Sequence, residues 1–288
     1  MDQTDTIKRA TFQNIAPQDA VRPTNRDVRW LKHIERHGPQ SSVYLHELTS
    51  NTHRCRDTAL RQMQHLRAGG FVSLPPQQRQ TERGEFNPYI YDLTLKAKRW
   101  LTDHGLAEPT VRPSGHWWHS YMVSCVTSSI DIAAARDGVR YIPAHEILAR
   151  KGATLGIPVG GRLLIPDQLF ALDYGGTFRA FVVEVDRGTE PLTSAAARKS
   201  LTSMIEQYRT AFETGQLVAH YDLKAPILCL FAYATGERRD TFLRLAAERT
   251  GHNRQHFLTT VIPPHQAPLA SLAHDPWQRP GAAPVSIL

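Results

Sequence analysis

The sequence has few of the residues on which disulfide-rich and zinc-binding proteins depend. Among 288 residues there are 3 cysteines, Cys55, Cys125 and Cys229, and neither their odd number nor their spacing suits a disulfide framework or a zinc site. The 14 histidines are scattered and form no HxH or HExxH pattern. We therefore expect the fold to depend on hydrophobic cores rather than on cross-links or zinc.

Long hydrophobic runs are absent as well. No stretch approaches the roughly 20 apolar residues that a helix needs to cross a bilayer, and the polar residues 1–3 do not resemble a secretion signal. The sequence also contains no internal repeats. These absences predict a cytoplasmic protein with no membrane partner.

What the chain does contain is an excess of positive charge and enough apolar residues to build cores. There are 34 Lys plus Arg against 27 Asp plus Glu, a formal net charge of +7, and 41% hydrophobic residues. The length suits two domains. The sequence pI of about 9.5 favours a polyanionic partner without specifying which one.

The most informative pattern is a pair of acidic residues on two predicted strands. Residues 162–172 and 178–185 should form an antiparallel hairpin, because Tyr174-Gly175-Gly176 between them is typical of a turn. Asp167 lies in the first strand, and Glu184 follows an apolar run typical of a strand buried on both faces. Two carboxylates directed at one point can hold a hard cation, Mg²⁺ or Mn²⁺, for phosphodiester cleavage.

A structural interpretation of the same residues stays open. Asp167 can cap a local turn, and Glu184 can form an ordinary ion pair with Arg187 or Arg162.

The amino-terminal part of the chain predicts a winged helix-turn-helix domain over residues 25–106. Helices are expected over residues 26–37 and 44–49, and a third follows residues 50–52 and ends at Ala68. A hairpin of residues 71–74 and 89–93 then forms the predicted wing.

Basic residues are concentrated on the third helix and the wing, where this class of domain binds double-stranded DNA. The candidate DNA-binding residues are Arg54, Arg56, Arg61, Arg67, Arg79 and Arg83. The alternative is that the domain mediates protein contacts and that its basic face is only solvated.

The remaining pattern predicts an α/β domain with a mixed sheet over residues 115–262. A helix should open the domain after His116. A long helix over residues 192–214, a buried strand over 225–233, a helix over 237–250 and a last edge strand over 257–262 should follow the hairpin. A crossover through the long helix would make the next strand parallel to its predecessor. Residues 1–24 are expected to be a mobile arm, 107–114 a linker and 263–288 an irregular proline-rich tail.

The acidic pattern resembles two nested families. Pro166-Asp167 with Glu184-Val185-Asp186 is similar to the signature of the PD-(D/E)xK nuclease superfamily. The longer string of residues 181–190, FVVEVDRGTE, is similar to the replication-relaxation family of plasmid and mobile-element proteins, which join a winged helix to that nuclease-like α/β sandwich. The resemblance implies that Asp167 and Glu184 hold magnesium and that the Val185 carbonyl adds a ligand.

One position departs from the superfamily pattern, because Asp186 stands where lysine is usual. A lysine there would orient water and stabilise the developing charge. Lys199, on the predicted long helix, can take over this role together with Gln207 or Tyr208. Asp186 itself is either a third acidic ligand or the partner of Arg187 or Arg198.

These observations lead to three expectations about function. The first is a DNA-binding protein of a plasmid or mobile element that acts in replication or mobilisation, with partner proteins of that process and a metal-dependent DNA endonuclease site formed by Asp167, Glu184, Asp186 and Lys199. The second is a non-catalytic regulator or replication accessory factor on a degenerate nuclease fold, which Asp186 favours. The third is a homodimeric regulator that acts only through its winged helix.

Overall fold

The computed structural model describes residues 15–52, 54–80, 88–111, 116–187, 200–224, 226–262 and 270–288. Residue contacts divide the chain into two units. Unit 1 comprises Met1–Thr110 with His116–Ser128, and unit 2 comprises Val111–Gly115 with Ser129–Leu288. No helix among the described residues is both long enough and apolar enough to cross a membrane.

Unit 1 begins with helices whose limits follow from capping. Thr24 forms a capping box with Asp27, and the chain leaves the first helix at Gly38, whose positive φ of 109° favours glycine. Thr94 caps the last helix of the set through the N–H of Ala97. The helices are α1 (Asn25–His37), α2 (Ser42–Leu48), α3 (Arg56–Ala68) and α4 (Leu95–Asp103).

A small antiparallel sheet completes this part of unit 1. Its strands are β1 (Gln40–Ser41), β2 (Val72–Ser73) and β3 (Ile90–Leu93), in the order β1-β3-β2. The predicted pairing of the two wing segments is confirmed, since Val72 lies opposite Leu93. The connection contains a 3-10 helix, Pro76–Gln80, and residues 81–87 lie outside the described part of the chain.

The core of unit 1 also includes the end of the predicted mobile arm. Val21 is buried among the helices, and the N–H of Gln18 donates to the carbonyl of Ala68 at 3.0 Å. This end of the predicted mobile arm thus contacts the core of unit 1, because an apolar residue in a polar segment fills it. Residues 1–14 of the arm lie outside the described residues.

The long helix α5 (Trp117–Arg136) has an unusual set of buried polar residues. The unit division falls within this helix, although the whole of it was assigned to the second domain from the sequence. Residues near its middle satisfy polar groups of α1: Ser128 Oγ lies 2.6 Å from His33 Nε2, and Thr127 Oγ1 lies 2.9 Å from His37 Nδ1. Buried polar groups of this kind need such partners.

Unit 2 contains a mixed seven-stranded sheet in the order β12-β11-β10-β9-β8-β7-β4. Strands β8, β9 and β10 are mutually parallel, whereas β7 is antiparallel to both β8 and β4. The predicted α/β class, the mixed sheet and the parallel crossover to the next strand are thus confirmed. The strands are β4 (Arg140–Pro143), β7 (Gln168–Asp173), β8 (Phe178–Asp186), β9 (Ile227–Tyr233), β10 (Phe257–Val261), β11 (Trp277–Arg279) and β12 (Ala282–Val285).

Helices cover one face of this sheet, where alternate residues of the strands form a common core with them. They are α6 (Ala144–Ala149), α7 (Leu201–Glu213), α8 (Gln216–Tyr221) and α9 (Gly236–Arg249). Residues of the opposite face, including Phe170, Phe181 and Val183, are also buried. The continuously apolar run in β8 therefore marks a strand that is covered on both faces, as predicted.

The strand predicted over residues 162–172 is divided in two. Residues Arg162–Leu164 form β6, which pairs with β5 (Ile157–Val159) in a separate two-stranded sheet, and only β7 joins the large sheet. Pro166 has no N–H to donate to a ladder, so the chain changes sheets at this point. Asp167 consequently lies just before β7 rather than within a strand.

Three further predictions about unit 2 are wrong. The helix predicted over residues 192–214 is not continuous, because Ser200 has an extended backbone and caps α7 through the N–H of Ser203; its predicted start at residue 192 lies outside the described residues. Strand β10 lies between β9 and β11 and is not an edge. The tail was predicted to be irregular, but Trp277–Arg279 and Ala282–Val285 extend the sheet.

Candidate functional site

Asp167 is fixed by hydrogen bonds to the backbone of β8. Its N–H donates to the carbonyl of Val183 at 2.9 Å, and its carboxylate Oδ2 accepts the N–H of Val185 at 2.8 Å. The carboxylate of Asp167 thus accepts a hydrogen bond that a backbone carbonyl would otherwise accept. The donor belongs to the peptide that joins Glu184 to Val185. With 7% of its surface exposed, Asp167 is a buried acid held at the end of a central strand.

Glu184 supplies the carbonyl of that peptide and is even less accessible, at 3% exposure. The hydroxyl of Tyr208, on α7, donates to its Oε1 at 2.6 Å. Burial raises the pKa of Tyr208 well above its ordinary value, and the charge of Glu184 raises it further. Tyr208 therefore stays protonated and remains a donor to the carboxylate at any physiological pH.

Asp186 is paired with a residue that sequence reasoning did not anticipate. Arg238, in the first turn of α9, donates its Nε to Asp186 Oδ2 at 2.7 Å, and both side chains are largely buried. The expected partners of Asp186 were Arg187 and Arg198. Residue 198 lies outside the described part of the chain.

The signal that could have identified Arg238 is positional. Thr235 caps α9 directly after β9, and β9 runs parallel to β8 with Tyr233 opposite Asp186. The residues that follow β9 must therefore lie near Asp186.

The structure brings Asp167 and Glu184 to the same segment of β8 but does not gather all three acids. Among the described residues, Asp167, Glu184 and Asp186 do not form a group whose ligand atoms all lie within 4.8 Å of one another. Lys199 lies outside the described residues, and the helix that was expected to carry it begins only at Leu201. The arrangement is thus a carboxylate pair with Asp186 and Arg238 beside it.

The donor set of this pair suits a hard divalent cation. Asp167 and Glu184 supply carboxylate oxygens and Val185 a backbone carbonyl, which are the ligand types that Mg²⁺ and Mn²⁺ prefer. Buried carboxylates are also costly unless a cation or several hydrogen-bond donors compensate them. The chemistry of these residues therefore fits the metal that the sequence pattern implies.

The basic residues of unit 1 are partly accessible to a polyanion. Arg54, Arg56 and Arg61, before and within α3, are exposed, whereas Arg67 in its last turn is half-buried. Arg79 lies in the 3-10 helix Pro76–Gln80 of the connection between β2 and β3. Arg83 lies outside the described residues.

Comparisons with known proteins give one positive result. No curated protein and no solved structure matches the chain. The family model for replication-relaxation proteins, however, matches residues 31–224, which is more than half of the sequence and includes Asp167, Glu184 and α3. The chain therefore belongs to the replication-relaxation family, and this membership indicates a replication-related function.

Proposed function

We propose that this protein binds double-stranded DNA of a plasmid or mobile element during replication or mobilisation and cleaves it with a metal-dependent site. In this proposal residues 25–106 are a winged helix-turn-helix domain and unit 2 is a PD-(D/E)xK nuclease-like domain. The observation that carries it is the hydrogen bond of 2.8 Å between the Val185 N–H and the Asp167 carboxylate, next to buried Glu184.

This hydrogen bond supports catalysis because it pre-organises the acid pair. A carboxylate locked to the backbone of a central strand cannot turn away from its neighbour, and rigidly placed groups are what a metal site requires. Asp167, Glu184 and the Val185 carbonyl would hold Mg²⁺ or Mn²⁺. When bound, such an ion polarises a phosphodiester and activates water for attack on it.

Other side chains support this role by orienting the acids. Tyr208 fixes one oxygen of Glu184 through the bond of 2.6 Å. The positive charge that the superfamily takes from a motif lysine has two candidate sources here, Lys199 and the Arg238 guanidinium beside Asp186. A guanidinium can stabilise developing negative charge on a phosphate, but it is too basic to serve as a general base.

The basic start of α3 supports DNA binding. Arg54 and Arg56 are exposed at the end of the helix that enters the major groove in winged helix-turn-helix domains. Asp57 is the one acidic residue of α3, so the helix presents net positive charge to a phosphate backbone.

A second candidate function is a DNA-binding regulator or replication accessory factor without catalysis. The ion pair between Asp186 and Arg238 favours it, because the acid occupies the lysine position and neutralises a nearby cation. In that case the acid pair would stabilise the fold, and the protein could act as a homodimer through its DNA-binding domain.

Cleavage of supercoiled plasmid and of single-stranded DNA, with and without Mg²⁺ or Mn²⁺, separates the two functions. Asp167→Asn and Glu184→Gln remove charge while keeping size and hydrogen-bonding oxygens, and Glu248→Gln changes an exposed acid on α9 as a matched control. Metal-dependent nicking by the wild type and the control, but by neither site variant, supports the nuclease. Absence of nicking with unchanged DNA affinity would leave the accessory factor.

DNA binding is tested independently by fluorescence anisotropy with duplex DNA at several salt concentrations. Each lost phosphate contact lowers the slope of log affinity against log salt by about one. We expect this change for Arg54→Ala and Arg56→Ala and not for Arg244→Ala, an exposed arginine of α9. Equal slopes for all four proteins would contradict the assignment of α3.

A further inference from the structure

Unit 2 contains a cavity that the proposed nuclease site does not use. Its volume is about 620 Å³, which is in the usual range for small-molecule sites. It lies on the helix-covered face of the sheet, toward the end of β8 where Phe178 begins the strand. Glu184 and Asp186 lie at the opposite end of β8.

The floor of the cavity is apolar and is formed by small side chains, because two alanines meet there. Ala171 and Ala180 lie directly opposite each other in β7 and β8, and Ile142 of β4 lies opposite Ala171. These three neighbouring positions form one row across the sheet, and small side chains leave open space above it. Ile147 and Leu223 border the same space.

The rim combines one aromatic ring with positive charge. Phe178 lies two residues before Ala180 on the same face, and 48% of its surface is exposed. The charged lining residues are Arg140, Glu146, Arg150 and Lys224. Arg140 is neutralised by Glu146 at 2.7 Å, but across the described parts of the chain neither Arg150 nor Lys224 forms an ion pair.

We propose that this cavity binds a nucleoside phosphate unit, with the base lying on the alanine floor against Phe178 and the phosphate contacted by Arg150 and Lys224. A flat apolar floor beside an exposed aromatic ring suits a planar base, since stacking on aromatic side chains is a general mode of nucleotide recognition. Two cations that form no ion pair with any described residue suit a phosphate. A purely apolar ligand would make no contact with the two positive charges, and a small inorganic anion would make no contact with the apolar floor.

The cavity is separate from the carboxylate pair. Val182 lies between Ala180 and Glu184 on the same face of β8 and is fully buried in the core. The inference therefore stands whether or not unit 2 cleaves DNA. The nucleoside phosphate can belong to a free nucleotide or to a single-stranded end, because both offer the same chemistry.

Isothermal titration calorimetry tests the proposal with 2′-deoxyadenosine 5′-monophosphate, with deoxyadenosine, and with a 5′-phosphorylated oligonucleotide of eight adenines. The full chain carries Asp167→Asn and Glu184→Gln throughout, so that no oligonucleotide is cleaved. We expect affinity to fall at least about tenfold in Arg150→Ala/Lys224→Ala, since hydrogen bonds to charged groups stabilise a complex by at least that factor. Deoxyadenosine, which lacks the phosphate, should bind as weakly to the parent as the monophosphate does to that variant.

Two substitutions test the contact with the base, and they differ in how strongly they could disturb the fold. Phe178→Ala lies at the surface and should weaken binding, whereas Ala171→Leu should abolish it by filling the floor, with a thermal melt to show that the variant folds. Arg244→Ala/Arg249→Ala removes two exposed, ion-paired arginines elsewhere in unit 2 and should leave affinity unchanged.

The pattern of ligands decides the source of the nucleotide. Binding of the monophosphate that depends on Arg150, Lys224 and Phe178 supports a free nucleotide, and the same dependence for the oligonucleotide alone supports a strand end. The proposal is overturned if neither ligand binds, or if binding is equal in the cavity variants and in the arginine control.

Discussion

The guanidinium of Arg238 donates to the carboxylate of Asp186 at 2.7 Å, at the position where the sequence resemblance to a nuclease superfamily led us to expect a lysine. An acid from one element and a cation from another thus lie where the resemblance predicts a single cation. Asp186 ends β8 and Arg238 lies in the first turn of α9, so the pair links the central strand to the helix that follows its parallel neighbour. The role of a residue that departs from a motif can therefore be judged only together with the residue that it contacts.

The first prediction concerns this ion pair. Arg238→Met removes the guanidinium that neutralises the buried carboxylate of Asp186 and should destabilise unit 2 by about 3–5 kcal/mol. Asp186→Asn in the same protein should recover much of that loss, because it removes the charge that Arg238 neutralised. Urea unfolding monitored by circular dichroism measures both changes.

The matched control for this pair is Arg244→Met, which breaks the exposed pair with Glu248 on the same helix. It should change the stability by about 0.5 kcal/mol or less. An equal effect of Arg238→Met and Arg244→Met would show that the buried pair of Asp186 and Arg238 stabilises the protein no more than the exposed pair does.

The second prediction compares two tyrosines of unit 2. Tyr208→Phe removes a donor from a buried carboxylate and should cost about 1.5–3 kcal/mol, because hydrogen bonds to charged groups are the stronger ones. Tyr221→Phe removes a bond of 2.7 Å to the neutral carbonyl of Leu155 and should cost about 1 kcal/mol. If Glu184 binds metal, Tyr208→Phe should also weaken Mg²⁺ binding measured by calorimetry, and Tyr221→Phe should not.

Much of unit 2 was predictable because its signals are local. Short segments of sequence are enough to predict the apolar run within β8, the glycine turn before this strand and the capped helix α9. The turn forms as expected, with Asp173 Oδ1 accepting the N–H groups of Gly175 and Gly176. The same local signals predicted that Asp167 and Glu184 lie at one segment of the hairpin.

The features that sequence reasoning missed depend on distant residues. The apolar character of Leu163 and Ile165 concealed the change of sheet before Asp167, although both side chains are exposed. Arg238 is 52 residues from Asp186, and only the parallel pairing of β8 and β9 brings them together. The tail was misjudged because its prolines obscured two short strands whose stability comes from β10.

The third prediction tests the contribution of the tail. Trp277 in β11 is fully buried, and its indole N–H donates to the carbonyl of Leu272 at 2.9 Å. Trp277→Ala should cost about 3–5 kcal/mol, the usual loss for a large buried aromatic side chain. Phe178→Ala, at a half-exposed aromatic residue, should cost clearly less in the same urea titration. A negligible loss for Trp277→Ala would mean that the tail is dispensable.

The fourth prediction concerns thiol reactivity. Cys55 is exposed before α3, and hydrogen bonds from the backbone and side chain of Thr58 lower its pKa. Burial raises the pKa of Cys125 to about 12 and that of Cys229 well above its ordinary value. Native protein should therefore react with one equivalent of a thiol reagent near neutral pH, and Cys55→Ser should abolish that reaction.

The same reaction can report on DNA binding. If α3 contacts duplex DNA, saturating DNA should slow the alkylation of Cys55, as followed by mass spectrometry. Unchanged alkylation under conditions of full binding would argue that DNA lies elsewhere on the protein.

The last prediction is a dependence of stability on pH that arises in unit 1. Burial alone would raise the pKa of Glu108, but the guanidinium of Arg36 and the ammonium of Lys32 hold it below its ordinary value of 4.5. Arg36 donates to both carboxylate oxygens, at 2.9 Å each.

Because the folded protein binds a proton at Glu108 less readily than the unfolded chain does, the pair stabilises the fold above about pH 4.5. That stabilisation is lost as the pH falls through the folded pKa, which lies below 4.5. Glu108→Gln should therefore cost about 1 kcal/mol at pH 7 and clearly less at about pH 3. Urea midpoints at the two pH values measure this, with Glu248→Gln as an exposed control that should show little effect at either. A Glu108→Gln loss that is as large in acid as at pH 7 would mean that the loss does not come from the charge of the carboxylate.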